Sequence, residues 1–227
     1  MEKILNPIRN FNDFINACNY FGIEINNNQL DLFKKYHEIL LDWNKKINLI
    51  SRKEENILER HFLDSIIFLP EIDQLADKAD INVFDIGSGG GFPAIPLSII
   101  KPNWRFILCE ATKKKANFLT LLIKELGIEK NVKVIDKRVE MLHATSQHRN
   151  KYDMVTVRAV AKLDELIKYS LPLLTKGGRL LAYKAKDIDD EIKNVEKLIE
   201  KNKLKLFSKE INSVVRKLVV LSNSSIF

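Results

Sequence analysis

Residues 83–96 read VFDIGSGGGFPAIP. An apolar run closes on an acid, Asp85. Gly87, Gly89, Gly90 and Gly91 follow, and then a helix start. Glycines clustered in this way let a backbone approach a ligand closely. The helix start behind them offers free N–H groups. Two kinds of cofactor use that layout, dinucleotides and S-adenosyl-L-methionine, and the two make different demands on the neighbouring residues.

A dinucleotide turn reads G-x-G-x-x-G, with an acid about twenty residues on. Gly87, Gly89 and Glu110 fit that pattern, but Phe92 stands where the third glycine belongs and Pro93 follows it. A phenylalanine there obstructs the close helix–strand packing that the glycine permits, which weakens the reading of a nicotinamide-dependent oxidoreductase. A methyl-donor site asks for an acid at the end of the first strand, met by Asp85. It asks for a glycine bend, met by Gly87, Gly89, Gly90 and Gly91, with Gly87, Ser88 and Gly89 as candidate cofactor contacts. A carboxylate ending the second strand should accept hydrogen bonds from ribose hydroxyls, and Glu110 in FILCEA is so placed. In VIDKRVEML, Val139 offers an apolar wall for adenine and Glu140 a polar edge. These residues fall at the ends of successive strands, where open parallel sheets bind ligands. The ordered set points to a Rossmann-like methyltransferase.

The elements that must position these residues are legible in the hydrophobic period. NQLDLFKKYHEILLDWNKKINLI spaces Leu30, Phe33, Tyr36, Leu40, Trp43 and Ile47 three or four apart, which is an amphipathic helix. ENILERHFLDSIIFLPEI repeats the pattern, with a stop expected near Pro70. From residue 82 the period shortens. INVFDIG, WRFILCE, NVKVID, YDMVTVRA and GRLLAYKA are short β-rich runs, separated by helix-like segments such as TKKKANFLTLLIKELGIEKN, with Gly127 as its stop. Strands alternating with helices imply a parallel sheet with crossover helices. The last two runs, KLKLFSKEI and VVRKLVVLS, leave no room for a crossover, so they should pair antiparallel. The expectation is an α/β fold of the Rossmann-like class I methyltransferase type: a mostly parallel seven-stranded sheet with an antiparallel last strand. An N-terminal helical extension, residues 1–75, would precede the methyltransferase domain, residues 76–227.

Composition narrows the partners. The 227 residues carry a formal net charge of +7, which favours a polyanion such as RNA. An AT-rich genome enriches lysine without any partner, so charge alone decides little. Two cysteines, Cys18 and Cys109, make neither a metal-ligand spacing nor a disulfide framework, and no apolar stretch reaches the length of a membrane span. The expectation is a cytoplasmic monomer without metal or membrane attachment.

Beyond these readings, the sequence resembles the RsmG (GidB) family of bacterial 16S rRNA guanine-N7 methyltransferases. The resemblance rests on DIGSGGGFPAIPLSI, YDMVTVRAVAKL, LPLLTKGGRLLAYK, LLDWNKKINLIS, ILERHFLDSI and RKLVVL, which together span most of the chain from about residue 36. It implies S-adenosyl-L-methionine contacts at Gly87, Phe92, Val139, Glu140 and Arg158, and an acceptor in 16S rRNA or the small ribosomal subunit, at guanosine 527. Ala94, and the Lys184–Ala185 pair, depart from the family pattern, which has glycine at position 94 and Lys-Gly at 184–185.

Guanine N7 carries a lone pair and no proton, so such a transfer needs no general base. Positioning and charge screening would then carry the catalysis. Arg158, at the end of the fourth strand, is the candidate catalytic residue. Its guanidinium suits the methionine carboxylate, the face of the target base or a phosphate. Lys184 and Lys186, ending the fifth strand, are candidate substrate contacts. His61 and Asp64 share a helix face, and a structural hydrogen bond to the main domain is as good a reading as an acid–base pair. A non-catalytic RNA-binding protein on the same scaffold is the remaining alternative.

Overall fold

The computed structural model describes residues 7–76, 78–142, 145–185, 188–211 and 216–222. Helices come first. α1 (Phe11–Tyr20) is capped by the Asn10 side chain, which accepts from the backbone N–H groups of Asn12 and Asp13. α2 (Asn27–Asn44) opens with a reciprocal capping box between Asn26 and Gln29, and buries Phe33, Tyr36 and Leu40 from the expected stripe. A six-residue π-helix, Leu58–Leu63, runs straight into α3 (Asp64–Ile66), and α4 (Leu69–Leu75) follows. Pro70 does not stop a helix, as the sequence had suggested. It lies in the first turn of α4, where its missing N–H costs nothing.

Seven strands then form one sheet in the order β3-β2-β1-β4-β5-β7-β6. β1 (Asn82–Ile86), β2 (Arg105–Cys109), β3 (Val132–Ile135), β4 (Tyr152–Arg158) and β5 (Leu174–Ala185) run parallel, and β7 (Arg216–Ser222) lies antiparallel between β5 and β6 (Lys205–Ile211). The crossovers are α5 (Ala94–Ile100), α6 (Lys113–Leu126), a short 3₁₀ turn at Val139–Met141, α7 (Leu163–Ser170) and α8 (Asp189–Lys201). Gly127 ends α6 in the left-handed conformation (φ +67°), the helix stop read from sequence.

Side-chain alternation along the strands divides the core in two. One face carries Val83, Phe106, Leu108, Met154, Leu181, Tyr183, Leu218 and Val220, and is covered by α1 to α6. The other carries Phe84, Ile86, Val155, Val157, Leu180, Ala182, Val219 and Leu221, under α7 and α8. The N-terminal helices therefore share one hydrophobic core with the sheet. The same parity directs the polar residues at the strand ends: Asp85, Thr156 and Arg158 fall on the face of the N-terminal helices, and Lys184 on the face of α8.

Candidate active site

The glycine turn sits at the C-terminal ends of β1 and β2. Gly87 and Ser88 donate their N–H groups to the Cys109 carbonyl, at 2.8 and 3.2 Å, which fastens the turn to the end of β2. Two of its positions admit only glycine. Gly87 has φ +67°, and a Cβ there would stand 2.6 Å from Val160 Cγ2. Gly91 has φ +100°, and a Cβ would stand 2.7 Å from the Tyr36 hydroxyl oxygen. That hydroxyl donates to the Gly90 carbonyl at 2.5 Å, so α2 braces the turn from the N-terminal side.

Glu110 secures the turn from the other flank. Its carboxylate accepts from the N–H of Gly89 at 2.9 Å and of Thr112 at 2.7 Å. A carboxylate offers about four lone-pair positions, so two remain for a ligand. Asp85 lies beneath the turn with no exposed surface. Thr156, its register partner on β4, donates to Oδ1 at 2.6 Å. Burial pushes the Asp85 carboxyl up to about 7, against the opposing pull of the Ser88 and Thr156 hydroxyls and of Arg158. Cys109 is buried, its thiol pushed up to about 12 chiefly by burial and directed at the Lys137 carbonyl, 3.2 Å away. It is a packing residue, not a nucleophile.

A cavity of about 250 Å³ opens beside the turn. Ile86, Gly87, Cys109, Ala111, Val139 and Val160 supply its apolar wall, and Lys137, Arg138, Glu140, Glu165 and Tyr169 its polar edge. Of the residues singled out in the sequence, Gly87, Val139 and Glu140 line this cavity. Ser88, Gly89 and Glu110 do not line it but belong to the hydrogen-bonded turn that borders it.

Phe92 and Arg158 go elsewhere, to a corner built jointly with the N-terminal helices. The Arg158 guanidinium carbon lies 4.8 Å from the Phe92 ring centroid. Its Nη1 donates to Asp64 Oδ2 at 2.8 Å and to the Arg60 carbonyl at 3.2 Å, and its Nη2 donates to His61 Nδ1 at 2.9 Å. A guanidinium has no acceptor, so His61 Nδ1 carries the lone pair and the ring proton sits on Nε2, which faces Glu54 at 4.0 Å. The Arg158 and Asp64 side chains are only 11% and 2% exposed. This is a buried, multiply hydrogen-bonded ion pair rather than a surface one, and two of the five guanidinium N–H groups remain for a ligand. The π-helix makes the convergence possible. Its wide turn, continued into α3, presents a carbonyl, an imidazole and a carboxylate to a single cation, and such turns recur at functional sites.

Lys184 points to the opposite face. Its ammonium donates to the Ala161 carbonyl at 2.8 Å and to Glu191 Oε2 at 2.7 Å, while Glu191 also accepts from the Leu163 N–H at 3.1 Å. It ties down the segment that follows Arg158, and a contact with substrate would require leaving that pair. Lys186 lies outside the described residues. Sequence reasoning overlooked Thr156, Tyr36, Val160 and Glu191 as parts of the site. Strand parity and the register of Asp85 give a signal for Thr156. Nothing local in the sequence ties Glu191 to Lys184. Among the described residues, no group of His, Cys, Asp and Glu is arranged to hold a metal ion, and no helix is long and apolar enough to cross a membrane.

Comparison with known proteins places this geometry. The family model described as GidB, rRNA small subunit methyltransferase G, matches residues 29–219. The ribosomal RNA small subunit methyltransferase G of Lactococcus lactis subsp. cremoris is 37% identical over 188 residues, covering 82% of this chain and 78% of the relative. That of Streptococcus gordonii is 39% identical over 185 residues, covering 81% and 77%. Among solved structures, an O-methyltransferase from Bacillus cereus in complex with SAH matches with a TM-score of 0.58 and 16% identity, over 83% of this chain and 90% of its own. M. jannaschii TYW2 in complex with AdoMet matches with a TM-score of 0.50 and 20% identity, over 70% and 74%. Likeness at those identities concerns the fold, which is that of Rossmann-like methyltransferases.

Proposed function

The chain belongs to the GidB family, rRNA small subunit methyltransferase G, and we propose that it transfers the methyl group of S-adenosyl-L-methionine to N7 of a guanosine in 16S rRNA, guanosine 527 by the family resemblance. The observation that carries the reading is the rigid glycine turn opening onto the cavity lined by Val139 and Glu140. The residues present fit the methyl donor. The space beside Gly87 exists because that residue has no Cβ. Val139 and Ile86 supply flat apolar walls for an adenine, and Glu110 retains two acceptor positions for ribose hydroxyls. A dinucleotide fits less well, because Phe92 stands where the dinucleotide fingerprint needs its third glycine.

When bound, the donor would supply a sulfonium methyl group to the N7 lone pair of guanine. The protein's own residues then have two tasks. Gly87, Ser88, Gly89 and Glu110 hold the donor end, and Arg158 receives an anionic or aromatic group with its two remaining N–H donors. Asp64 and His61 act as positioning residues: they fix the guanidinium plane against Phe92 and keep its charge compensated until a ligand arrives. No side chain has to remove a proton from guanine N7.

The test is chemical identification of the product. RNA methylated by the purified protein, digested to nucleosides, should contain 7-methylguanosine as its new modified nucleoside. A different methylated nucleoside would refute the N7 assignment. Binding of a nicotinamide cofactor in preference to S-adenosyl-L-methionine would refute the reaction class.

A further inference from the structure

A second strongly charged region lies at the far end of the sheet. A groove of about 430 Å³ is lined by Asn82, Arg105, Lys130, Asn131, Lys133, Gln147 and Lys151, with Phe106, Ile107 and Tyr152 as its floor. Asn82 and Arg105 begin β1 and β2 and pair in register. The groove therefore opens at the N-terminal ends of the strands, whereas the glycine turn lies at their C-terminal ends, roughly 13 Å along β1 at strand rise. All four cations are exposed, and the floor residues Phe106 and Tyr152 are buried.

The charge balance is one-sided. No acidic residue lines the groove. None of the four cations forms an ion pair among the described residues, whereas Lys35, Lys46, Lys78, Lys101 and Lys168 elsewhere on the surface do. The acids nearest in sequence are Asp80, Glu129, Asp136 and Asp153, and none of them lines the groove. The Asp153 carboxylate is occupied by Lys78 and by the Asn82 N–H. Solvated cations of this kind hold a single small anion poorly, because each exposed pair is worth only about 0–1 kcal/mol. They hold a polyanion well, since each phosphate contact releases a condensed counterion and the contacts add along the chain. The asparagine and glutamine amides between them provide donors for phosphate or ribose oxygens.

We propose that this groove is a second RNA-binding surface. It would grip the phosphate backbone of the acceptor RNA away from the methylated base and set the orientation in which the RNA reaches the cofactor cavity. The proposal rests on the reading of the chain as an rRNA methyltransferase, and its test separates the two. The protein carrying Lys130→Ala, Lys133→Ala and Lys151→Ala is compared with the wild type and with a control of equal charge change on α8, Lys193→Ala, Lys197→Ala and Lys201→Ala. Binding of a fluorescein-labelled 16S rRNA transcript is measured across a salt series, and binding of S-adenosyl-L-methionine is measured in parallel. In the groove variant, the slope of log affinity against log salt should fall by up to about 2, at about 0.7 per lost single-strand contact. RNA affinity at physiological salt should drop by about tenfold or more, with cofactor affinity unchanged and the α8 control close to the wild type. Unchanged RNA binding by the groove variant would overturn the proposal while leaving the methyltransferase reading intact. An equal loss in the α8 control would overturn it too, by reducing the effect to net charge. Failure of the wild type to bind the transcript would overturn the RNA assignment as a whole.

Discussion

The ion pair between Arg158 and Asp64 gives the sharpest quantitative expectation. Both side chains are nearly buried, at 11% and 2% exposed, and their atoms lie 2.8 Å apart. Asp64→Asn keeps the shape of the side chain and removes its charge, leaving the guanidinium compensated only by neutral acceptors, His61 Nδ1 and the Arg60 carbonyl. Breaking a buried pair from one side typically costs about 3–5 kcal/mol. Arg158→Met removes the cation that faces the buried Asp64 carboxylate and should cost a similar amount. The double variant removes both charges, so it should be less destabilised than the sum of the singles, by about 1–3 kcal/mol. Urea unfolding of the four proteins measures the stabilities, and titration with S-adenosyl-L-methionine, run alongside, reads what a purely structural tie would leave unmoved. If Asp64 positions the guanidinium for a ligand, Asp64→Asn weakens cofactor binding or lowers turnover even at temperatures where it is fully folded. Strict additivity of the two destabilisations would refute the coupling. Full activity of folded Asp64→Asn would refute the positioning role.

Three further expectations follow from the same geometry. Asp85 holds its proton up to about pH 7 in the folded protein, against an ordinary value of 3.8, so folding takes up a proton between those values. The stability associated with this group is fully present below about pH 4 and is lost as the pH rises through 7, by up to about 4 kcal/mol. Asp85→Asn should therefore gain on the wild type across that window in urea melts, and a pH-independent difference between the two would contradict the assignment. Gly87→Ala forces a side chain into the left-handed region, at about 1–2 kcal/mol, and drives Val160 towards the cavity. It should abolish measurable cofactor binding with only a modest loss of stability, and normal binding would show that the cavity beside Gly87 is not the cofactor site. Lys184→Ala frees the segment carrying Val160 and Ala161. It should raise KM for the cofactor more than it lowers kcat, and an unchanged KM would show that the tie to Glu191 and Ala161 does not shape the site.

Much of the fold is written in periodicity, and the places where the reading falls short share a cause. All seven runs became strands because a short run of β-branched and apolar residues is a local property of the sequence. The antiparallel pairing of the last two followed from a connection too short for a crossover. Pro70 opens α4 behind the N-cap Phe68 rather than closing the helix before it, because a proline can end one helix or begin the next and the local sequence does not distinguish the two. The glycine turn, Val139 and Glu140 were legible because their chemistry is confined to short segments. The Arg158 corner was legible only in part: the expected hydrogen bond of His61 and Asp64 to the main domain is there, but nothing in the sequence names Arg158 as its partner. The corner joins residues separated by more than ninety positions through a π-helix, which no hydrophobic period announces. Lys184 was placed by its position at a strand end, but one residue of strand parity, Tyr183 inward to the N-terminal helices and Lys184 to α8, assigns it to the other face.

The most direct test of the central claim is to map the methylated base. Purified protein is incubated with methyl-labelled S-adenosyl-L-methionine and with 16S rRNA or small subunits from a strain that lacks the modification, and 7-methylguanine is then located by reduction and aniline cleavage. A single new cleavage at guanosine 527 is the predicted result. Labelled methyl incorporated without any new cleavage, or cleavage at another guanosine, would contradict it.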